Sequence, residues 1–399
     1  MALSENARAW WIIVGLSLGP AVSNGYARFA YGLILPAMRE DLSWNFTQAG
    51  WINTANAVGY LIGAVLALSL ISRLGARWMF IWGFVLTTAA LLLSALTENI
   101  WLMSLWRLVA GIGGAPVFIA GGALASGLFG EDKQKNALAI AVYFGGGGFG
   151  MVATAVVLPH LVEWYGNGIW PHAWLLLGVG CHLAFLPSFW AAVAAPEPKR
   201  RAASAERRPR LPVLAMAPGL AAYFMFGVSY IIYITFLVAW MQGQGATAWL
   251  VSWTWGVMGA MVVASPFLWS RVLAAANGGG AISLTSLATG TGILIPLVVP
   301  GAAGMLASAV LFGASFFMVP TSTTTFGRKN LPEPLWGPSL ALFTTIFSIG
   351  QIVGPVGAGA IADYTGGPAL GMAVAGGTLI LGAVIALAQR ALGATRDPA

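Results

Sequence analysis

NGYARFAYGLILP, residues 24–36, lies in the second half of an apolar run spanning 10–37 and carries one permanent charge, Arg28. A membrane-crossing helix needs about 20 apolar residues, so the run is long enough to span. Arg28 then stands about eight residues, or about 12 Å at 1.5 Å per residue, from the nearer end of its span. That distance is long for an arginine to cross by snorkelling. Burying a guanidinium near a bilayer centre costs roughly 2.5–3.5 kcal/mol on insertion scales, so something must offset it.

Outward from this stretch the same pattern recurs. The chain of 399 residues is 58% hydrophobic and 8% charged, which excludes a soluble globular domain. Apolar runs fall at 10–37, 47–71, 79–97, 100–128, 137–161, 172–195, 212–241, 248–270, 280–299, 302–326, 338–362 and 368–392. The expected fold is therefore an all-α integral membrane protein of twelve transmembrane helices. The polar stretch PEPKRRAASAERRPR, 196–210, splits them six and six. This divides the chain into a bundle at 1–195, a linker at 196–211 and a second bundle at 212–399.

With both termini placed in the cytoplasm, sixteen of the nineteen Lys and Arg residues fall on that side, and Arg39 alone falls on the other. The remaining two, Arg28 and Arg107, lie within spans, and the asymmetry sets the orientation. The expected location is a bacterial inner membrane. The net charge of +7 follows from topology and implies no nucleic-acid partner. MALSENARAW shows no compact apolar core ending in a small-residue cleavage site, so the first span is expected to be retained. A single cysteine, Cys181, excludes an internal disulfide and a cysteine metal cluster.

Weak internal repetition supports two similar halves. Ser72-Arg73-Leu74 closes the second span and Ser270-Arg271-Val272 the eighth; Gly111 to Pro116 in the fourth is matched by Gly313 to Pro320 in the tenth. On these residues the chain resembles the major facilitator superfamily over its whole length. Arg107-Leu-Val-Ala-Gly111-Ile-Gly113 looks like that family's fourth-helix motif, and Gly350-Gln-Ile-Val-Gly354-Pro355 like its glycine-proline motif, here on the eleventh helix. Between spans two and three, Arg73, Gly75 and Arg77 match the family's loop motif. Ser72 stands in place of its aspartate and Leu68 in place of its glycine. Arg28-Phe29-Ala30-Tyr31 with Pro36 is similar to a bacterial branch of poorly known substrate. The resemblance implies a secondary transporter working by alternating access, a monomer without cofactor. Its implied partners are a small-molecule substrate, a coupling proton or exchanged anion, and the lipid bilayer.

The polar residues within spans suggest a cargo. Asn24, Arg28 and Tyr31 share a face at helical spacing, and Asn53, Asn56, Tyr60 and Gly63 form a second stripe at comparable depth. All twelve acids map to loops, tails or helix ends, so the cavity is expected to be electropositive. The missing counter-charge would arrive with the substrate, and arginine's planar fork suits a carboxylate. An organic anion is therefore the expected cargo. The alternative, a multidrug-type exporter of apolar or cationic compounds, suits the aromatic and methionine content but lacks an embedded acid. Arg107, close to glycines that favour helix packing, suits structure and substrate contact equally. Tyr230 and Tyr233 are candidate contacts because the family's seventh helix lines the cavity; Gln351 adds a neutral hydrogen-bonding group. His182 is the candidate for proton coupling, being the titratable side chain nearest mid-span.

No nucleophile-and-base set, metal cluster or paired carboxylates appears at membrane depth, so an enzyme is not expected. Gly145, Gly147 and Gly150 fit GxGxxG, but they sit inside an apolar run with no preceding strand.

Overall fold

The computed structural model describes residues 4–130, 132–198 and 210–393. The first half comprises α1 (Glu5–Pro20), a π-helical segment (Ala21–Phe29), α2 (Tyr31–Asp41), α3 (Phe46–Leu74) and α4 (Ala76–Ser94), then α5 (Ile100–Ala125), α6 (Lys133–Tyr165) and α7 (Trp170–Ala194). The second half comprises α8 (Val213–Gly243), α9 (Ala248–Ala275), α10 (Gly280–Val298), α11 (Gly301–Ser315), α12 (Met318–Asn330), α13 (Trp336–Thr365) and α14 (Ala369–Leu387). Of the expected linker, residues 199–209 lie outside the described residues.

Among the described residues, eleven helical stretches are long and apolar enough to cross a membrane, α11 and α12 together forming one of them. The remaining expected span, 10–37, is built from three helical pieces rather than one. Its ladder changes at Pro20, which has no N–H to give to the turn behind it. The backbone then widens to i→i+5 bonding, ending with the Ala30 amide on the Gly25 carbonyl at 2.9 Å. Gly25 permits this because the backbone of α6 crosses there: a Cβ on Gly25 would lie 2.6 Å from the Gly150 Cα.

Each half is a bundle packed through small residues. In the first, α3 and α4 pack on α5, and α6 packs on α1 and the π segment; in the second, α8 packs on α13 and α14, and α10 on α11 and α14. The halves meet along α3 with α13, α6 with α9, and α2 with α8. Turn chemistry holds helix ends outside the apolar layer. Asn45 and Gln48 form a reciprocal capping box at the start of α3, Asn99 caps α5 and Asp132 caps α6.

The hydrogen bonds that join the halves gather at the end of the bundle away from the chain termini. Asp363 at the end of α13 accepts from the Phe46 amide at 2.7 Å, the Thr47 amide at 2.9 Å and the Thr47 hydroxyl at 2.5 Å. A carboxylate from one half thus caps the helix N-terminus of the other. Deeper in, Asn53 donates to the Thr235 hydroxyl and Thr54 to the Ile352 carbonyl. Gly50 sits so close to α13 that a Cβ would fall 2.3 Å from the Pro355 carbonyl oxygen.

Candidate functional site

Arg28 is buried on the π segment, 3% exposed, with its guanidinium over the Tyr60 ring of α3 at 4.8 Å. Its Nε and Nη2 have no hydrogen-bond partner. These two nitrogens lie along one edge of the guanidinium plane with parallel N–H bonds, which matches the two oxygens of a carboxylate. Among the described residues no acidic side chain pairs with it, and the charged neighbour within electrostatic reach is another cation, Arg107. The ring of Tyr60 offsets part of the charge. The hydrogen-bonding edge remains open.

Arg107 on α5 is fully buried and differently held. Its Nη1 donates to the Ala27 carbonyl at 2.6 Å, while the rings of Trp174 and Tyr31 face the guanidinium at 4.9 and 5.4 Å. Tyr31 in turn donates its hydroxyl to the Ala49 carbonyl at 2.7 Å, and Asn56 donates to the Arg107 carbonyl at 3.0 Å. Arg107 therefore ties the π segment to α5, next to Arg28. Its Nε and Nη2 are also without partners.

The expected polar stripes divide in three dimensions. Tyr60 meets Arg28, Asn56 turns to α5, and Asn53 reaches across to α8, leaving its Oδ1 unpartnered. Tyr31 leaves the Arg28 face for Arg107 and Trp174, because the widened π turn breaks the 3.6-residue phase on which the expectation rested. Asn24 stays buried on the π segment with a free Nδ2.

From the second half, Tyr230 comes within electrostatic reach of Arg28 and Tyr60. Gln351 is 1% exposed and neither its Nε2 nor its Oε1 has a partner. Tyr233 is committed elsewhere, at 2.5 Å from the Ser308 hydroxyl and packed on Phe312. Sequence reasoning passed over Ser23, Ser229, Ser348 and Trp255, which are buried with unpartnered polar atoms, and over Phe316 and Phe347 beside Tyr230. A serine spaced one turn from Gln351, as Ser348 is, was a usable signal. The phenylalanines gave none, since an apolar residue in an apolar helix has no contrast to read.

His182 lies on the exposed side of α7, apart from the residues gathered about Arg28. The expected packing residues sit at close crossings. A Cβ on Gly111 would meet the Asn56 carbonyl, one on Gly113 the Gly83 carbonyl, and those on Gly350 and Gly354 the backbone of α8. Gly75 holds a φ of 86° between α3 and α4. The missing aspartate of that loop has a local substitute: Glu197 accepts from the amides of Ala76 and Arg77 at 3.1 and 2.9 Å. Arg77 spends its side chain on the Ala192 and Ala195 carbonyls, so this cluster braces the first half. Arg73 stands at the exposed end of α3.

Among the described residues no group of three His, Cys, Asp or Glu side chains could hold a metal ion. What the site offers is a buried cation with a free bidentate edge, neutral amides and hydroxyls, and aromatic faces, all at the junction of two bundles.

Comparison with known proteins agrees with this architecture. The nucleoside transporter NupG, crystallised as a point mutant, superposes with a TM-score of 0.71 over 94% of this chain and 99% of that one at 12% identity. A POT family transporter crystallised with a thioalcohol-conjugated peptide gives a TM-score of 0.73 over 94% and 95% at 10% identity. At such identities the likeness shows the fold alone. In sequence, a putative metabolite transport protein of Haemophilus influenzae is 28% identical over 183 residues, covering 44% of each chain. A gentisate transporter of Corynebacterium glutamicum is 28% identical over 168 residues, covering 41% of this chain and 37% of that protein. The chain thus spans less than half the length of these relatives. Over nearly all its own length, residues 20–387, it matches the family described as the uncharacterised MFS-type transporter YbfB, and to that family of major facilitator transporters it belongs.

Proposed function

We propose that this transporter moves a small organic anion, a carboxylate above all, by alternating access between halves at 1–195 and 212–399 about a site centred on Arg28. The observation that carries the reading is the open Nε–Nη2 edge of a buried guanidinium with no acid beside it among the described residues. A protein that keeps a charge in this state leaves its desolvation only partly compensated until a counter-charge arrives. A substrate carboxylate supplies that charge, and Asn24, Asn53, Tyr60, Tyr230 and Gln351 supply the neutral contacts around it. One partial relative bears the name of a gentisate transporter, and gentisate is a carboxylate. A cationic cargo would find no embedded acid among the described residues near this centre.

The bonds joining the halves at the end away from the termini support a state closed on that side. With the termini in the cytoplasm of a bacterial inner membrane, as the arginine and lysine distribution favours, the state is closed to the exterior. A proton or an exchanged anion completes the cycle. A thermal-shift screen of the purified protein against carboxylates, organic cations and neutral solutes tests the class, since a ligand that binds the folded state raises its melting temperature. Stabilisation by carboxylates alone is the expected result; stabilisation by cations alone refutes it.

A further inference from the structure

Tyr230, within electrostatic reach of Arg28, belongs to an aromatic wall in which four rings share an orientation. On α8, Phe226 and Tyr230 stack at 4.8 Å and 13°. Phe347 of α13 lies 5.6 Å from Tyr230 at 16°, and Phe316, between α11 and α12, lies 6.1 Å from it at 17°. Rings from three separate helical elements therefore stand within about the same plane direction. Edge-to-face contacts frame this set, with Phe29 and Phe317 meeting Phe316 at 71° and 76°. Phe347 and Tyr60, the ring beneath Arg28, are only half-buried.

A set of parallel ring faces beside a free guanidinium edge fits one kind of carboxylate better than others. In an aryl carboxylate the two oxygens are conjugated with the ring and lie in its plane, so the molecule is one flat object with its charge at one rim. A guanidinium that meets both oxygens along its edge lies in that same plane, and the ring behind the carboxylate presents two flat faces to the aromatic wall. An aliphatic or puckered acid of the same size offers the charge without the faces.

We propose that the substrate is an aryl carboxylate, its carboxylate on the Nε–Nη2 edge of Arg28 and its ring against Tyr230, Phe347 and Phe316. This rests on the organic-anion reading and narrows it. Offset or edge contacts between aromatic rings add about 0.5–1.5 kcal/mol beyond area burial, or about two- to tenfold in affinity.

The test is a matched pair of acids. Benzoate and cyclohexanecarboxylate have the same charge and carbon count, and differ in planarity and π faces. Titration calorimetry on the purified full chain should give benzoate an affinity about two- to tenfold above cyclohexanecarboxylate. Phe347→Leu and Tyr230→Leu should each bring the ratio toward one while cyclohexanecarboxylate still binds, and Arg28→Ala should lose both acids. Equal affinity for the two acids, both dependent on Arg28, overturns the aryl assignment and leaves the anion reading standing. If no carboxylate, aromatic or aliphatic, binds in an Arg28-dependent way, the anion reading falls and the aryl assignment with it.

Discussion

Arg107 donates from Nη1 to the Ala27 carbonyl at 2.6 Å, tying α5 to the π segment one residue before Arg28. The bond is charge-assisted and buried, and Trp174 and Tyr31 close over the cation. Arg107→Gln removes the reach and the charge together, leaving the Ala27 carbonyl unsatisfied. A loss of about 1.5–3 kcal/mol in stability is expected, the range for hydrogen bonds to charged groups. Calorimetric unfolding in detergent measures it. An unchanged melting temperature would remove Arg107 from the support of the π segment.

Arg28 should show the opposite sign. Both arginines keep two buried donors unpartnered, but only Arg107 gains a carbonyl bond, so the Arg28 charge burdens the ligand-free fold. Arg28→Met keeps the volume and removes the burden, so the ligand-free protein should gain about 1–3 kcal/mol. The same variant should lose all stabilisation by carboxylates. A destabilised Arg28→Met would mean that the guanidinium is satisfied without a ligand.

Asp363 caps α3 from the other half, and the charge gives the cap its strength. Asp363→Asn keeps the shape but removes the charge, weakening the closed end by about 1 kcal/mol. Spin labels at Glu98→Cys and Thr365→Cys, in a Cys181→Ala background, report the separation of the two halves there. The variant should show a larger population of long distances than its parent. Identical distance distributions would show that the cap does not hold the halves together.

His182 stands on the exposed side of α7 and shares no contact with the Arg28 site. His182→Ala should therefore keep uptake driven by a pH gradient within about twofold of wild type in proteoliposomes. Loss of gradient-driven uptake, with gradient-free exchange retained, would give the histidine a coupling role.

Much of this is legible in the sequence. Apolar runs mark the crossings because a bilayer demands length and hydrophobicity, and Arg28 and Arg107 stand out because nothing else in those runs is charged. The glycines of α5 and α13 signal close crossings because only they admit a neighbouring backbone. The π segment was not legible: Pro20 shows where a ladder can change, but a proline inside a helix more often only bends it. A regular helical phase puts Tyr31 beside Arg28, whereas the wider turn carries it to Arg107 and Trp174. The Asp363 cap was hidden for another reason. Its partners, Phe46 and Thr47, lie more than 300 residues away, and each side alone reads as an ordinary helix end. Phe316 and Phe347 of the aromatic wall stand in apolar spans where any hydrophobic residue would serve, so their ring character carries no visible pattern.

The central claim is that Arg28 binds the transported anion, and uptake by reconstituted variants tests it most directly. Arg28→Lys and Arg28→Ala, purified folded and placed in proteoliposomes with a labelled carboxylate, should both fall to the level of empty vesicles. The lysine variant is the sharper of the two, since it keeps a charge and loses only the two-pronged edge. Uptake at the wild-type rate by both variants would contradict the assignment.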